Sequence, residues 1–458
     1  MKKSIIAVAV LLLLAALLPI LGNTFMKQTI DDRITELKTY GLETKRDEIN
    51  SSYLSTSRHM EFTLKDSQKF IAYLSTFADK QPPAYINAML NGVVLGVDIE
   101  YSNLPFAKAF EVDLYPLTLP DDVRDSLSQH DPKFLTFMQK FLLSKGIIWH
   151  INYNSLNSNF DGYVKDIDQK YTLKDGTRID LGLKKALFKG NGTLIAPDML
   201  SSTLKAFHLN VIQKEQTFNF ALENFSSSAN FDSQSTYVSG MNVDKADMIL
   251  QGTADDSEVH LKNLKVNMSS NAQGKNADLD SRASFDSLSV ASKSLNVLLT
   301  KFNFDISAND LDKEKYELLR KLLTDKKNQQ LSMASKEVQQ AVVGLISKGF
   351  VIKIAQFSLE DLTLDTQKKL KGFAIKSELR FAKDKDLVQK IKLSPMMAGS
   401  DIEFTSKISI ANEFYSFLTR MSPMLGTIKS YAKEEKGSLV FDIELKNSKA
   451  TVNGKALN

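Results

Sequence analysis

Alternation of apolar and polar residues recurs along most of the chain and constrains the fold more than any other feature. It is clear in Leu95, Val97 and Ile99. Because successive side chains of a strand point to opposite faces, a period of two predicts strands with one buried and one wet face. Such strands, joined by short connections rich in Gly, Asn, Asp and Ser, are typical of antiparallel sheets. The pattern returns at residues 110–114, 147–153, 218–222, 302–306, 373–381, 402–410 and 439–445.

Helices are expected between the groups of strands. Asp131 followed by Pro132 supplies an N-cap and a first-turn proline, and Gly146 ends the apolar stripe that follows. Further helices are predicted after Asp66 and near Ser335. The expected fold class is α+β and β-rich, with an N-terminal transmembrane helix followed by large, mainly antiparallel, curved sheets with inserted helices.

The N-terminal residues predict where the chain is located. Lys2 and Lys3 precede an uncharged apolar run from Ile5 to Gly22, which is long enough to span a bilayer. No Ala-x-Ala cleavage signal follows it, so the run is interpreted as an uncleaved signal-anchor. The two lysines keep the N-terminus in the cytoplasm under the positive-inside rule, and the rest of the chain is exported. No later apolar run approaches this length, so a single span is expected.

Four regions follow from these patterns. Residues 1–26 form the membrane anchor, 27–54 a stalk that leads into the first strand, 55–300 a β-rich region with helices, and 301–458 a strand-helix region that can continue the same sheet. Strand-then-helix patterns at 302–323 and 404–421 are compatible with an internal duplication or with ordinary recurrence of a common motif. Their helix registers differ, which favours recurrence.

Composition narrows the compartment and the chemistry. The chain has no cysteine, which excludes disulfides, a thiolate nucleophile and thiolate metal ligands. An exported domain without disulfides is more typical of the bacterial envelope than of a eukaryotic secretory route. Basic and acidic residues are nearly balanced, 58 against 54, and are interspersed, so a nucleic-acid partner is not expected.

Histidines and paired carboxylates are the candidate site residues of the chain. The histidines are far apart in sequence, and His150 and His260 occupy polar positions of alternating strands, where an exposed or hydrogen-bonded side chain is expected. Carboxylates pair at strand spacing and are interpreted as solvated strand faces, although acid-base chemistry or cation binding stays open. The histidines are His59, His130, His150, His208 and His260, and the carboxylate pairs are Asp98 with Glu100, Glu111 with Asp113, and Asp442 with Glu444.

Other motifs support no catalytic or cofactor site. Ser202 with Lys205 and Ser430 with Lys433 match Ser-x-x-Lys, but the companion elements of penicillin-recognising enzymes are missing. Residues 190–192 read Gly-Asn-Gly, lack the third glycine of a dinucleotide fingerprint, and are interpreted as a hairpin turn. Ser-Pro-Met turns at 394–397 and 422–424 are interpreted as packing methionines rather than a copper site. No catalytic, cofactor-binding or metal-binding residue is therefore assigned, and no cofactor is expected.

The anchor, the serine-rich stretch from Glu48 to Ser57 before the strand Met60 to Leu64, and the long run of alternating strands with inserted helices together resemble the YdgA-like family. These are bacterial proteins anchored in the inner membrane with a periplasmic body. The resemblance implies an envelope protein of about this length without an assigned activity. It supplies no catalytic residues.

Three functions remain compatible with the sequence. The first is a non-catalytic binding or scaffold module that engages an envelope protein partner or a second copy of itself in the periplasm. The second is lipid handling on an apolar groove of a curved sheet, suggested by 27 phenylalanines against one tryptophan. Filling of the core under the helices is the favoured explanation of these phenylalanines. An enzyme is a distant third. In each case residues 5–22 place the chain in the inner membrane.

Overall fold

The computed structural model describes residues 23–77, 87, 90–104, 109–154, 156–193, 197–233, 235–252, 256–324, 336–365, 369–384, 386, 389–390 and 401–457 of the 458. The apolar run at 5–22 and the Ser-Pro-Met turn at 394–397 lie outside these residues. Among the helices that the structure describes, none is both long and apolar enough to cross a membrane. The chain divides into two compact units, Met1–Lys214 and Glu215–Asn458.

The first unit is an antiparallel sheet with helices. Each strand pairs with the next along the chain, except that the short β6 and β7 both pair with the long β8. Its elements are α1 (23–39), β1 (Leu42–Ser51), β2 (Ser55–Leu64), α2 (Ser67–Phe77), β3 (Val94–Ser102), β4 (Ala109–Pro116), α3 (Asp121–His130), α4 (Pro132–Leu143), β5 (Trp149–Asn154), β6 (Asn159–Val164), β7 (Ile167–Thr172), β8 (Arg178–Gly192) and β9 (Pro197–Gln213).

The second unit is also antiparallel, and six of its strands are 15 to 18 residues long. Consecutive strands pair from β10 to β17, β17 pairs with β19, and β18 and β20 also pair with β19. Its elements are β10 (Gln216–Ser233), β11 (Thr236–Gln251), β12 (Ser257–Asn271), β13 (Asn276–Ser292), β14 (Asn296–Asp312), α5 (Lys313–Thr324), α6 (Lys336–Lys348), β15 (Phe350–Leu364), β16 (Leu370–Phe381), β17 (Ile402–Ala411), α7 (Asn412–Met421), a 3-10 helix (Pro423–Tyr431), β18 (Lys433–Glu435), β19 (Ser438–Lys446), β20 (Lys449–Val452) and β21 (Lys455–Ala456).

A row of residues that we call the seam crosses the strands of the second unit. At the seam, one extra residue interrupts the alternation of apolar and polar side chains along a strand. Asn224, Asn263 and Lys301 have φ of 51°, 54° and 51°, in the left-handed region that costs an ordinary side chain energy. Asn224 donates to Asp244 at 2.9 Å and Asn263 donates to Asp286 at 2.6 Å. The seam residues are Asn224, Asp244, Asn263, Asp286, Lys301 and Glu360.

One consequence of the seam is that most apolar side chains lie on the same face of a strand before and after it. In β12 the apolar positions step by two to Leu261, then by three to Leu264, then by two again. Without the extra residue, every side chain beyond it would be on the opposite face. Val297 and Leu299 before the seam pack in the same cluster as Phe302 after it, which shows that the face is continuous.

The β-rich antiparallel fold class with inserted helices is confirmed, and the helices predicted from capping signals at Asp66, Asp131 and near Ser335 are present. Asp131 caps α4 by accepting from the Phe134 amide at 2.9 Å. The helices expected after Asp66 and near Ser335 are α2 and α6. The hairpin turn predicted at residues 190–192 is wrong, because Gly190 is paired on β8 with Leu200 of β9. Strand β8 continues through this stretch to Gly192, which pairs with Pro197 at the start of β9.

Candidate functional site

Two of the three carboxylate pairs singled out in the sequence meet two of the histidines on the polar face of the first unit. The register places His59 of β2 opposite Asp98 of β3, Asp98 opposite Asp113 of β4, and Asp113 opposite His150 of β5. In the next row Glu100 is opposite Glu111. Like charges opposite each other in a sheet repel, so this arrangement needs cations or hydrogen-bond donors beside it. We call His59, Asp98, Asp113 and His150 the polar row.

Hydrogen bonds neutralise the polar row from within. The Nδ1 atom of His59 lies 2.6 Å from Asp98 Oδ1, and that of His150 lies 2.7 Å from Asp113 Oδ1. Tyr115, which is 1% exposed, donates its hydroxyl to Asp98 Oδ2 at 3.0 Å. Lys145 follows α4 and forms an ion pair with the same oxygen. Each aspartate therefore has a partner of opposite charge or a donor.

These contacts shift the ionisation of the buried groups. Burial by itself would raise the pKa of Asp98, but hydrogen bonds from Lys145, His59 and Tyr115 outweigh it and lower the pKa below its usual value. Burial, followed by the neighbouring Asp98 carboxylate, raises the pKa of Tyr115 to about 12. Burial would lower the pKa of Lys145, but the hydrogen bond and the charge of Asp98 raise it. The cluster is a stable arrangement of Asp⁻, Lys⁺ and neutral Tyr at neutral pH.

The chemical capacity of the polar row is small. Beyond Asp113, His150 also contacts Asn152 Oδ1 through Nε2 at 3.0 Å, so both of its ring nitrogens have hydrogen-bond partners. The second ring nitrogen of His59 lies 3.6 Å from Glu61. A general base needs a ring nitrogen within reach of a substrate proton. Among the residues that the structure describes, no group of three His, Asp or Glu side chains is placed to hold a metal ion. The row borders a cavity of about 420 Å³ that is lined by charged and polar groups.

The remaining histidines lie apart from this row. His208 of β9 contacts Asp180 at 3.1 Å and His260 of β12 contacts Asp247 at 2.8 Å, each across neighbouring strands. His130 ends α3 and contacts the Ser126 carbonyl. Each of these histidines therefore has its own hydrogen-bond partner on a neighbouring strand or in its own helix.

The two Ser-x-x-Lys matches do not form a catalytic pair geometry. Ser202 and Lys205 both lie on strand β9, so the amine is not placed one helical turn from the hydroxyl. Ser430 lies in the last turn of the 3-10 helix and donates to the Thr427 carbonyl, whereas Lys433 begins β18.

The third carboxylate pair lies on the polar face of the second unit. Asp442 of β19 is opposite Lys407 of β17, and Glu444 is opposite Thr405. They border a cavity of about 1040 Å³ that is also lined by Lys353, Lys376 and Lys433. Lysines and carboxylates alternate here, as on an ordinary solvated strand face.

The packing role predicted for the methionines of the second Ser-Pro-Met turn is wrong at Met424. Its side chain is 82% exposed, and that of Met421 just before the turn is 74% exposed. The turn begins the 3-10 helix, whose first residue is Pro423, so the methionine points outward from a short element rather than into the core.

The opposite face of the second unit is a second candidate site, which we call the apolar face. Residues opposite each other in an antiparallel pair share a face, so the register defines it strand by strand. On it lie Phe218, Phe220, Leu222 and Phe225 of β10; Val243, Ala246, Met248 and Leu250 of β11; Val259, Leu261, Leu264 and Val266 of β12; Ala283, Phe285, Leu288 and Val290 of β13; and Val297, Leu299, Phe302 and Phe304 of β14. It continues through Phe357, Leu359 and Leu362 of β15, Phe373 and Ile375 of β16, Ile408 and Ile410 of β17, and Leu439 and Phe441 of β19.

Described helices cover part of the apolar face. At one end, Tyr316 of α5 and Leu345 of α6 pack against Ala277 and Leu311. Towards the other end, Phe414 of α7 packs against Leu359 and Leu362. These three helices pack mainly on β13 and the strands after it.

Within the described part of the chain, the apolar face is more open on strands β10 to β12. There Val243 is buried and Met248 is 41% exposed. The register also places Phe231 and Met268 on this face, opposite Tyr237 and Ser239, and they are 41% and 46% exposed. Most of the others are half-buried, as expected where side chains contact their lateral neighbours and solvent lies above. Isolated exposed apolar residues are normal, but a contiguous apolar surface marks a binding site.

An apolar cavity lies in the first unit, between α1 and the sheet. It measures about 450 Å³, which is within the usual size of a small-molecule pocket. Ile30, Ile34 and Leu37 of α1 line one side, and Met60 and Phe62 of β2 line the other. The cavity can hold an apolar group of modest size.

The apolar face was not predicted as a continuous surface, although one sequence signal was present: the three-residue step in the alternation, for example from Leu222 to Phe225. The structure adds a regular spacing of left-handed strand residues, because Lys185, Asn224, Asn263 and Lys301 recur roughly every 39 residues. Each interval covers the rest of one strand, the whole of the next and the start of the third.

Comparisons of the chain with family models, with curated proteins and with solved structures give no match.

Proposed function

We propose that this chain is a non-catalytic envelope protein, anchored by residues 5–22 in the bacterial inner membrane, which binds acyl chains of lipids on the apolar face of its second unit. Its N-terminus is then cytoplasmic and its body periplasmic, as in the YdgA-like family that the sequence resembles. The observation that carries the proposal is the continuous apolar face, because a soluble protein rarely leaves such a surface open without a ligand.

Three features favour acyl chains as the ligand. The face is formed by aliphatic side chains and phenylalanine, whose rings contact across strands at 4.9 Å between Phe285 and Phe302 and 5.0 Å between Phe357 and Phe373. Strands of 15 to 18 residues extend roughly 50–60 Å, which exceeds the length of one acyl chain. The expected anchor also keeps the body next to a source of lipid.

Two substitutions on one strand test the proposal. Met248→Asp places a charge on the apolar face of β11, and Val238→Asp places the same charge on the opposite face of that strand, where Val238 is 60% exposed. The full chain, purified in mild detergent, is analysed by native mass spectrometry for retained phospholipid. We expect Met248→Asp to reduce the retained lipid several-fold and Val238→Asp to leave it unchanged.

Two outcomes contradict lipid binding. Equal lipid retention in all three proteins would show that the apolar face is not the binding surface. The second outcome is that the unsubstituted chain and Val238→Asp are lipid-free dimers whereas Met248→Asp is a monomer. This would assign the face to contact with a second copy of the chain, which is the scaffold alternative.

A further inference from the structure

The first unit has an apolar rim at one end, formed by Phe25, Tyr53, Leu54, Leu104 and Leu156. Their exposed fractions are 71%, 54%, 57%, 40% and 64%. Four of them lie in or beside turns: Tyr53 and Leu54 between β1 and β2, Leu104 after β3, and Leu156 between β5 and β6. In an antiparallel sheet these connections are all at the same end. The rim is therefore one surface rather than scattered residues.

The opposite end of the same sheet is mainly polar. Its described connections follow α1, β2, β4, β6 and β7, and the turns beside the strands expose charged and polar side chains: Lys65, Asn91, Lys165, Asp166, Lys174 and Asp175. The connection between β4 and β5 also exposes Val123 of α3 and Leu143 of α4, and the exposed Trp149 begins β5. One end of the unit therefore exposes an apolar rim, and the turns at the other end expose charged and polar side chains. This is the difference expected between an end that contacts a membrane and an end that contacts water.

Helix α1 begins at the apolar rim. Asn23 accepts hydrogen bonds from Thr56 Oγ1 at 3.1 Å and from the Tyr101 hydroxyl at 3.0 Å. It also donates to Ser51 Oγ at 3.3 Å. These partners are at the end of β1, the start of β2 and near the end of β3, beside the rim.

The contacts at Asn23 tie the chain to the sheet immediately after the apolar run. Thr56 is fully buried and lies 2.8 Å from Oδ1 of Asn103, which is 2% exposed. Ile34 of α1 packs in a core cluster with Met60 and Phe62. The residue that follows Gly22 is therefore held by a buried polar network rather than by a loose linker.

We infer that the apolar rim lies in the interface of the lipid bilayer from which the anchor emerges. The inference rests on the anchoring part of the proposed function. If residues 5–22 span the bilayer, Phe25 lies roughly 5 Å along a helix from the end of the span, at the level of the headgroups. Aromatic side chains such as Phe25 and Tyr53 and aliphatic side chains at exposed tips are suited to this layer. The opposite, charged end then points into the periplasm.

The absence of cysteine makes the test direct. Leu54→Cys, Leu104→Cys and Leu156→Cys each introduce one spin-label site on the rim of the full chain. Lys65→Cys and Lys174→Cys are controls at the opposite end. The labelled chains are reconstituted in vesicles of phosphatidylethanolamine and phosphatidylglycerol, and the collision rates of each label with oxygen and with a water-soluble nickel complex are measured by electron paramagnetic resonance.

We expect the rim labels to collide with the nickel complex roughly fivefold less often than the control labels, and with oxygen more often, because oxygen concentrates in the acyl region. If the chains float with the vesicles but their rim labels are as accessible to the nickel complex as the control labels, the inference is overturned. The anchor is unaffected by that result. Spin-spin broadening between rim labels of two chains overturns it in favour of self-association. A chain that fails to float overturns both the anchor and the rim contact. Lipid retention by Met248→Asp tests the apolar face separately from this result.

Discussion

Arg58 joins α1 to the first two strands. It is 4% exposed, its Nε and Nη2 atoms donate to Asp47 at 2.8 and 2.6 Å, and Nη2 lies 2.7 Å from Asp31 of α1. A buried charge is tolerated only when it is paired. The hydrogen bond from Arg58 holds the pKa of Asp47 below its usual value.

We predict that Asp47→Asn destabilises the protein by about 2 kcal/mol, because it removes one of two acidic partners from a buried guanidinium while Asp47 itself is partly exposed. Urea unfolding followed by circular dichroism measures the change. Glu48→Gln is a matched control, since Glu48 pairs with Arg46 at the exposed surface. An equal loss in both variants would show that the pair contributes no more than a surface contact.

Asp47 also sets a pH dependence. Because its pKa is lower in the folded state, its contribution to stability is present above its unfolded pKa of about 4 and is lost as the pH falls through the folded value.

His260 gives the opposite dependence. Its hydrogen bond to Asp247 raises the pKa of His260, against the smaller effect of burial, and Glu258 adds to the rise. A raised folded pKa contributes stability that is complete below the unfolded value of about 6.5 and is lost as the pH rises through the folded value.

We predict that His260→Gln destabilises the protein more at pH 6 than at pH 8.5, as measured by urea unfolding at the two values. In an Asp247→Asn background the same substitution should lose most of this difference, because the partner that raises the pKa is gone. An undiminished difference in that background would assign the pH dependence to another group.

At the scale of elements, the seam decides which face each strand presents. Asn263 occupies a left-handed conformation in the middle of β12 and donates to Asp286. Asparagine tolerates this region, whereas a β-branched residue does not. We predict that Asn263→Val destabilises the protein by about 1–2 kcal/mol more than Asn267→Val on the same strand, where φ is ordinary. Thermal unfolding of both variants checks the difference, and equal values would mean that the seam is not strained.

The alternation predicted the strands well because burial on one face leaves a direct trace in sequence. Val97 and Ile99, or Phe404 and Ile408, identify their strands without further information. The N-cap at Asp131 was equally readable, since capping is local chemistry. These features depend on residues within one element.

The features that failed depend on residues far apart in sequence. Residues 190–192 resemble a turn in composition, but pairing with both β6 and β9 holds Gly190 in a strand. The polar row forms because β2 to β5 bring His59, Asp98, Asp113 and His150 side by side, which no local pattern specifies. The apolar rim likewise becomes visible only when separate turns are seen at one end of a sheet.

At the scale of the whole chain, the expected topology is open to a direct test. A reporter enzyme that is active only in the periplasm, fused after Asn458, should be active, and deletion of residues 5–22 should abolish its activity. Fusion after Gly22 should also give activity if the span ends there. An inactive C-terminal fusion would overturn the periplasmic location of the body, and the missing cysteines would then no longer point to the bacterial envelope.

The recurring left-handed residues have a consequence for how such a molecule can change over generations. Each hairpin brings its own left-handed residue, its own acidic neighbour and its own apolar rows, as Asn224 with Asp244 and Asn263 with Asp286 show. Duplication or loss of one hairpin in the gene therefore leaves the phase of every other strand unaltered. The apolar face can therefore lengthen or shorten by one hairpin at a time. Proteins descended from one ancestor can then differ in their number of strands while each strand still presents its apolar side chains on the same face.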